Sequence, residues 1–325
     1  MHVETWLWTV TIGGTLAVLL FDVLIVSRRP HEPSMKECTA YLAVYIGLAV
    51  VFGIWVWFAY GGQYGGEFFA GWLTEYSLSI DNLFIFIIIM NKMSVPREYQ
   101  QTALMIGIVL ALIMRGIFIA LGKAAIDQFS WVFYLFGLFL IYTAWGLAKE
   151  SHDDDDFEEP AIVAWARRRF PISDEWDGVK LTHRSNDRRE LTPMFIVILT
   201  LGMTDLLFAL DSIPAIYGLT KEAYLVFTAN VFALMGLRQL YFLIGGLLQR
   251  LVYLSLGLAF LLFFIGVKLI LHAMHENELP FINGGHHIGW APDIPIWLSL
   301  TVIIGTLVIT AVASLAKDRA TAKES

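Results

Sequence analysis

Long apolar runs alternate with short polar connections along most of this chain. Nine runs are each about 20 residues long, which is the length that an α-helix needs to cross the hydrocarbon core of a bilayer. The pattern therefore predicts an all-α polytopic membrane protein with nine transmembrane helices. The predicted spans are residues 5–26, 40–60, 68–91, 102–121, 129–148, 193–217, 222–247, 251–271 and 294–315.

Composition supports the membrane assignment. Hydrophobic residues make up 57% of the chain and charged residues only 16%, whereas soluble domains carry about 25% charged residues. The net charge of −7 says little about partners, because twelve of the 29 acids lie in one connection, residues 149–192. Nothing in the sequence favours nucleic-acid binding. Cys38 is the single cysteine, which excludes an intramolecular disulfide and a thiolate metal cluster.

The ends and connections predict the orientation in the membrane. The first residues lack a basic region and a small-residue cleavage site, so we expect the first helix to be retained. Lysine and arginine concentrate in connections on one side, with eight in residues 149–192, while the other side holds only Lys123 and Lys221. The positive-inside rule then predicts an outer N-terminus and a cytoplasmic C-terminus.

Two predicted spans carry acids in matching patterns. Residues 75–84 read EYSLSIDNLF, a glutamate followed after five residues by Asp-Asn. Residues 205–214 read DLLFALDSIP, an aspartate followed after five residues by Asp-Ser. Each carboxylate at mid-depth costs about 2.5–3.5 kcal/mol on insertion scales. We therefore expect these acids to be kept for a task, and handling a cation is the task that best fits them.

The paired motifs predict a duplication. Residues 68–148 and 193–271 each open with the acid motif, continue with a helix bearing Arg115 or Arg238, and end with a helix bearing Gly146 or Gly266. Because each copy has three helices, the second enters the membrane inverted, which would place a binding site between the copies at mid-membrane. Chance recurrence of a short motif is the alternative.

The other predicted segments surround this core. They are two N-terminal helices in residues 1–60, a cytoplasmic loop in 149–192, an external loop in 272–293, and the last helix with its tail in 294–325.

The candidate ligands are all oxygens. Such sets favour hard ions such as Mn²⁺, Mg²⁺ or Ca²⁺ over Zn²⁺ or Cu⁺. Four carboxylates exceed the charge of one divalent ion, so some would be protonated or paired with Arg115 and Arg238, which permits metal/proton exchange. Pro214 predicts a helix break that frees carbonyls beside the second motif. The proposed metal ligands are Glu75, Asp81, Asn82, Asp205, Asp211 and Ser212.

Each assignment has a plainer alternative. The four acids could form purely structural ion pairs with the arginines, and Asn82 and Ser212 could make interhelical hydrogen bonds instead of binding an ion. Arg115 and Arg238 are interpreted as structural or gating counter-charges, and Asn230 as an interhelical bond. Asp22, near the cytoplasmic end of the first span, would line an inner vestibule or be solvated at the interface.

The loops and the absence of enzyme motifs complete the predictions. Residues 149–192 are interpreted as a solvated linker with a short basic helix at 167–169, and alternatively as a cation-capturing acidic run at 153–156. The histidines between 272 and 287 favour a solvated loop over an external metal site. The approach GMTD at 202–205 lacks the second glycine of the Gly-x-Gly-Asp protease signature, and no other catalytic motif occurs, so we expect no enzymatic activity.

At these motifs the sequence resembles the TerC family, and more closely its Alx-like branch. The resemblance covers nearly the whole chain and includes EYSLSIDNLF (75–84), TDLLFALDSIPAI (204–216), NVFALMGLR (230–238) and FIGVK (264–268). It implies a bacterial cytoplasmic-membrane protein of metal-ion homeostasis, chiefly manganese export, with three-plus-three inverted repeats. The family name refers to tellurium resistance, and Alx-like members are associated with alkaline conditions.

The sequence thus predicts a transporter that moves a divalent cation, best fitted by Mn²⁺, out of the cytoplasm, with protons returning on the vacated carboxylates. No resident cofactor is expected. One alternative is a membrane-protein assembly factor or scaffold whose loop 149–192 contacts soluble metal-stress proteins. Another is a cation channel.

Overall fold

The computed structural model describes most of the chain. The described residues are 3–28, 34–129, 131–149, 161–173, 176–185, 188–244, 253–275, 277, 279, 282–283, 286, 288, 290–292 and 294–324. The backbones of Asp22, Asp81 and Asp211 are described but their side chains are not. The acidic run 153–156 also lies outside the described residues, so its predicted role stays a prediction.

The described residues form eleven helices and one small hairpin. The helices are α1 (Thr5–Arg28), α2 (Met35–Tyr60), α3 (Gly62–Lys92), α4 (Arg97–Gln128), α5 (Val132–Lys149), α6 (Ala161–Arg169), α7 (Pro193–Tyr217), α8 (Ala223–Met235), α9 (Leu237–Ile244), α10 (Leu254–His275) and α11 (Ile296–Glu324). The strands are β1 (Thr182–Ser185) and β2 (Arg188–Leu191).

The apolar helices confirm an all-α polytopic membrane protein. Within the described part of the chain, eight helical segments are long and apolar enough to cross a bilayer. One of them combines α8 and α9 across a break at Gly236. In α1 the described side chains form a shorter apolar stretch, Thr5–Val18. The predicted total of nine spans therefore stays a prediction.

Each helix of the first motif-bearing segment packs against a helix of the second. Helix α3 packs against α8, α4 packs against α7, and α5 packs against α10. An exchange of the first segment with the second would map the first two pairs onto each other and the third pair onto itself, as inverted repeats require. The repeat itself stays a prediction.

Helices α5 and α10 approach each other closely at two glycines. A Cβ atom added at Gly137 would lie 2.8 Å from the carbonyl oxygen of Gly266, and one added at Gly266 would lie 2.9 Å from that of Gly137. Only residues without a side chain permit this approach of two backbones. Gly146, which corresponds in position to Gly266 in the predicted duplication, has nothing within 4 Å of an added Cβ. Gly137 is the glycine that meets Gly266.

The predicted helix break at Pro214 is wrong. Helix α7 continues through Pro214 to Tyr217. The proline has no backbone N–H, so the carbonyl oxygen of Leu210 loses its usual donor four residues on, but the helix is not interrupted. Packing holds the helix end, since Ile213, Ala215 and Ile216 are buried and the Tyr217 hydroxyl donates to the carbonyl oxygen of Ile119 over 2.7 Å.

The connection between α5 and α7 contains more structure than a linker. The predicted short basic helix is present as α6, whose Val163 and Ala166 pack against Ile196 in the first turn of α7. Beyond it, β1 and β2 pair antiparallel with Thr182 opposite Leu191. Leu191 also bridges to Ile172 in parallel register. Both strands are only four residues long and mostly polar, which explains why apolar periodicity did not reveal this hairpin.

Candidate functional site

The acid motifs face the protein interior, as their spacing predicts. Residues seven apart on a helix return to nearly the same face. On α3, Glu75, Ser79 and Asn82 are all buried. On α7, Asp205 and Ser212 are buried, whereas Leu207 between them is 54% exposed to the surroundings of the helix bundle. Both motif stripes therefore point away from the lipid-facing surface.

Arg115 of α4 connects the two stripes. Its Nη1 donates to Glu75 Oε1, and its Nε and Nη2 donate to Asp205 Oδ2 and Oδ1 over 3.0 and 3.2 Å. Such a two-pronged contact is the strongest geometry that an arginine makes with a carboxylate. Nη1 also donates to Asn230 Oδ1 at 2.9 Å and to Ser212 Oγ at 3.1 Å. One guanidinium thus joins four helices.

Asn230 of α8 is held so that its oxygen faces the arginine. Its Nδ2 donates to the carbonyl oxygen of Val226 over 2.9 Å, which leaves Oδ1 free to accept from Arg115. The interhelical bond predicted for Asn230 is therefore present. Together, five oxygen atoms from Glu75, Asp205, Ser212 and Asn230 converge on one buried cation.

The site is fully removed from solvent. Arg115 is 1% exposed and Glu75 0%, and Glu75, Arg115 and Asp205 all lie near the middle of their helices. If both acids are ionised, the cluster carries one surplus negative charge. Glu75 Oε2 is buried and has no hydrogen-bond partner among the described residues. A buried carboxylate oxygen without a partner costs free energy, so we expect a proton, a water molecule or a cation to bind it.

The structure brings together some of the predicted ligands and leaves others undecided. Glu75, Asp205 and Ser212 share contacts with Arg115. Asn82 is buried on the Glu75 stripe, but no contact with the cluster is described. Asp81 and Asp211 follow on the same two helices, with side chains outside the described part. Within the described residues, no group of three or more His, Cys, Asp or Glu side chains forms a metal site.

The two arginines are not equivalent in their described contacts. Arg238 is buried and donates through Nη1 to the sulfur of Met105 over 3.1 Å. It borders a small cavity with Tyr45, Leu234 and Met105. The sequence placed Arg115 and Arg238 at matching points of the two segments, yet Arg115 is the one seen to bridge Glu75 and Asp205.

Sequence reasoning missed a pair of threonines beside the acids. Thr74 precedes Glu75 and Thr204 precedes Asp205. Both hydroxyls are buried and lack hydrogen-bond partners in the described part of the chain. The signal was available, because a Thr-acid dipeptide opens both motifs. Buried hydroxyls that protein groups do not satisfy indicate positions where water or an ion completes the hydrogen bonding.

Outside the membrane spans, one carboxylate has a shifted pKa. His183 Nδ1 and Asp177 Oδ2 form a hydrogen bond of 2.7 Å, and Lys180 Nζ donates to Asp177 Oδ1 over 3.0 Å. The hydrogen bond from His183 is the main reason that the pKa of Asp177 lies below its ordinary value of 3.8. This contact ties the segment before β1 to the strand itself, away from the buried cluster.

Comparisons with known proteins identify the family of the chain. The chain matches the profile of the integral membrane protein TerC family over residues 60–322. It is 45% identical to an uncharacterized membrane protein of Mycobacterium bovis over 322 residues, which cover 98% of this chain and 81% of the relative. It is 37% identical to an uncharacterized membrane protein of Myxococcus xanthus over 313 residues, 96% of this chain and 93% of the relative.

A third relative is Alx of Escherichia coli, described as a candidate membrane-bound redox modulator. The identity is 32% over 302 residues, which cover 90% of this chain and 89% of Alx. No solved structure matches the chain. The resemblance inferred from the acid motifs is confirmed: the chain belongs to the TerC family of integral membrane proteins and has Alx among its homologues.

Proposed function

We propose that this protein transports a divalent metal cation across the membrane, with Mn²⁺ as the best-fitting substrate. The observation that carries the proposal is the pair of carboxylates, Glu75 and Asp205, buried side by side from the two motif helices around one positive charge. Four such acids represent an insertion cost on the order of 10 kcal/mol. A protein that only needed to pack would avoid that cost with apolar residues.

The oxygen set supports a hard cation as substrate. Carboxylate, hydroxyl and amide oxygens converge on Arg115, and these are the ligand types that Mn²⁺, Mg²⁺ and Ca²⁺ prefer. The guanidinium stands among the oxygens that would bind the ion. In the proposed cycle a divalent ion displaces Arg115 from Glu75 and Asp205, and the arginine returns when the ion leaves. Protons on the carboxylates would balance the remaining charge.

The thiol content of the chain argues against a redox role that depends on disulfide exchange within the chain. Cys38 is the single cysteine and is buried in α2. The chain therefore offers no pair of cysteines for reversible disulfide exchange.

Metal flux into proteoliposomes tests the proposal. The wild type is compared with Glu75→Gln, Asp205→Asn, Asp81→Asn and Asp211→Asn, using Mn²⁺, Mg²⁺, Ca²⁺ and Zn²⁺ at set pH gradients. Glu98→Gln is the matched control, because Glu98 is an exposed acid in the first turn of α4. We expect saturable Mn²⁺ flux in the wild type and the control, and loss of flux in the site variants.

Two outcomes would count against this function. Equal flux in wild type and site variants would show that the acids only stabilise the fold through Arg115. Wild-type protein that conducts without saturation would indicate a channel. An assembly factor, the other alternative, would show no flux and would keep its partners when the acids are replaced.

A further inference from the structure

A second polar site lies at the face of the membrane that is predicted to be outside. A cavity of about 560 Å³ is enclosed by the first turns of α3, the connection after α7, the last turns of α10 and the start of α11. Ionisable side chains line it, although it is bounded mainly by membrane-spanning helices. The proposed ion site does not use these side chains. They are Glu67, Lys221, Glu222, Lys268 and His272.

Glu67 is the buried acid of this cavity. It is 8% exposed, and both of its carboxylate oxygens accept hydrogen bonds from neutral groups. Gln63 Nε2 donates to Oε1 over 3.1 Å, and the Thr220 hydroxyl donates to Oε2 over 2.6 Å. These bonds fix the carboxylate between α3 and the connection that follows α7, at the wall of the cavity.

Glu67 and the ion site lie on the same helix. Glu75 follows eight residues later, a rise of about 12 Å along α3. Thr74, seven residues after Glu67, returns to the same face of α3. The Thr74 hydroxyl and Glu75 Oε2 are both buried without hydrogen-bond partners among the described residues. Polar atoms with unused hydrogen-bonding capacity therefore lie about two turns deeper on α3 than Glu67, beside the buried acid pair.

The charges around Glu67 favour a proton over a metal ion. Other titratable side chains also line the cavity. Helix α10 contributes Lys268 and His272, and the connection after α7 contributes Lys221 and Glu222. Two tyrosines complete the set, Tyr64 of α3 and Tyr217 at the end of α7. Lys268 donates to Ser299 of α11 over 3.1 Å. Two lysines balance the two glutamates, so the cavity offers a divalent ion no net negative charge. A single carboxylate beside a polar cavity can still exchange one proton.

We propose that Glu67 is the outer proton-exchange group that serves the Glu75–Asp205 pair, an inference that rests on the proposed transport function. A proton from water in the cavity binds the Glu67 carboxylate. It then passes through water along the Thr74 face of α3 to Glu75 Oε2, which restores the Glu67 carboxylate. Each proton delivered to Glu75 compensates one positive charge of the departing metal ion.

The test separates proton coupling from metal movement in the same proteoliposomes. Equilibrium exchange of radioactive for unlabelled Mn²⁺ measures metal movement without any net proton flux. Uptake driven by a pH gradient, with a trapped pH dye, measures the coupled process. Glu67→Gln is compared with Glu222→Gln, which removes the same charge from the wall of the same cavity and whose side chain makes no cap hydrogen bond to α8.

We expect Glu67→Gln to keep metal exchange and to lose gradient-driven uptake by roughly tenfold or more, with Glu222→Gln close to wild type. Gradient-driven uptake and proton movement that equal the wild type in Glu67→Gln would overturn the inference. Loss of exchange and coupling together would also overturn it, because a purely structural role predicts that result. Absence of metal exchange in the wild type would refute the proposed function itself, and this inference with it.

A second and milder variant tests the inference even if Glu67→Gln does not fold. Thr220→Val removes the hydroxyl that donates to Glu67 Oε2 and keeps the carboxylate. Because that bond stabilises the ionised form, its loss should raise the midpoint pH of gradient-driven uptake by roughly one unit, with metal exchange unchanged. An unmoved midpoint would contradict the assignment of Glu67.

Discussion

Replacement of Arg115 by methionine tests how much the buried contacts of Arg115 contribute to the stability of the protein. Methionine forms helices well and fills much of the space of the arginine stem, but it donates no hydrogen bond. The change removes the guanidinium contacts to Glu75, Asp205, Ser212 and Asn230. It leaves two carboxylates facing each other in a buried site.

The expected loss of stability is large. Breaking a buried ion pair by removing one partner costs about 3–5 kcal/mol, because the remaining charge stays buried without compensation. Here two acids lose the same partner, so we expect the upper end of that range, moderated by uptake of a proton. A loss of about 5 kcal/mol is a large part of the 5–15 kcal/mol that stabilises a typical folded protein.

The assay is unfolding by titration with sodium dodecyl sulfate in mixed micelles, followed by the fluorescence of the 11 tryptophans. The informative comparison is the triple variant Glu75→Gln, Arg115→Met, Asp205→Asn, which removes the charges but keeps the shapes of both acids. We expect it to recover most of the loss, because neutral amides cost far less to bury than unpaired carboxylates. The reasoning is refuted if Arg115→Met stays within about 1 kcal/mol of wild type, or if the triple variant is no more stable than Arg115→Met.

Two further predictions concern helix packing and the connection before α7. Gly137→Ala should destabilise the protein by about 1–3 kcal/mol in the same unfolding assay, because the added Cβ would lie 2.8 Å from the Gly266 carbonyl oxygen. Gly146→Ala is the control, since nothing lies within 4 Å of a Cβ added there. It should be neutral or slightly stabilising. The Asp177–His183 contact should contribute stability fully above pH 3.8 and lose it as the pH falls further through the lowered pKa of Asp177. Pepsin cleavage within β1 and β2 should therefore rise in the wild type below pH 3.8. Asp177→Asn should remove this part of the pH dependence. If the wild type and the variant have the same pH profile of cleavage, the prediction is contradicted.

The sequence alone determined that the long apolar segments are helices, and which faces of the two motif helices turn inward. Lipid cannot satisfy backbone polar groups, so apolar runs of sufficient length must be helices. The helical period then relates Glu75 to Ser79 and Asn82, and Asp205 to Ser212, whatever else the chain does. The burial of these residues follows from that local geometry and from the cost of exposing an acid to lipid.

Tertiary structure decided which faces meet. Periodicity gives the direction of a side chain from its own helix axis but not the identity of the neighbouring helix. For that reason the sequence could not choose between Arg115 and Arg238 as partner of the acids, and it did not reveal that Gly137 meets Gly266. Glu67 also escaped notice, because its significance comes from Thr220 and the cavity beside it. Contacts between residues far apart in the chain depend on packing, which no single helix encodes.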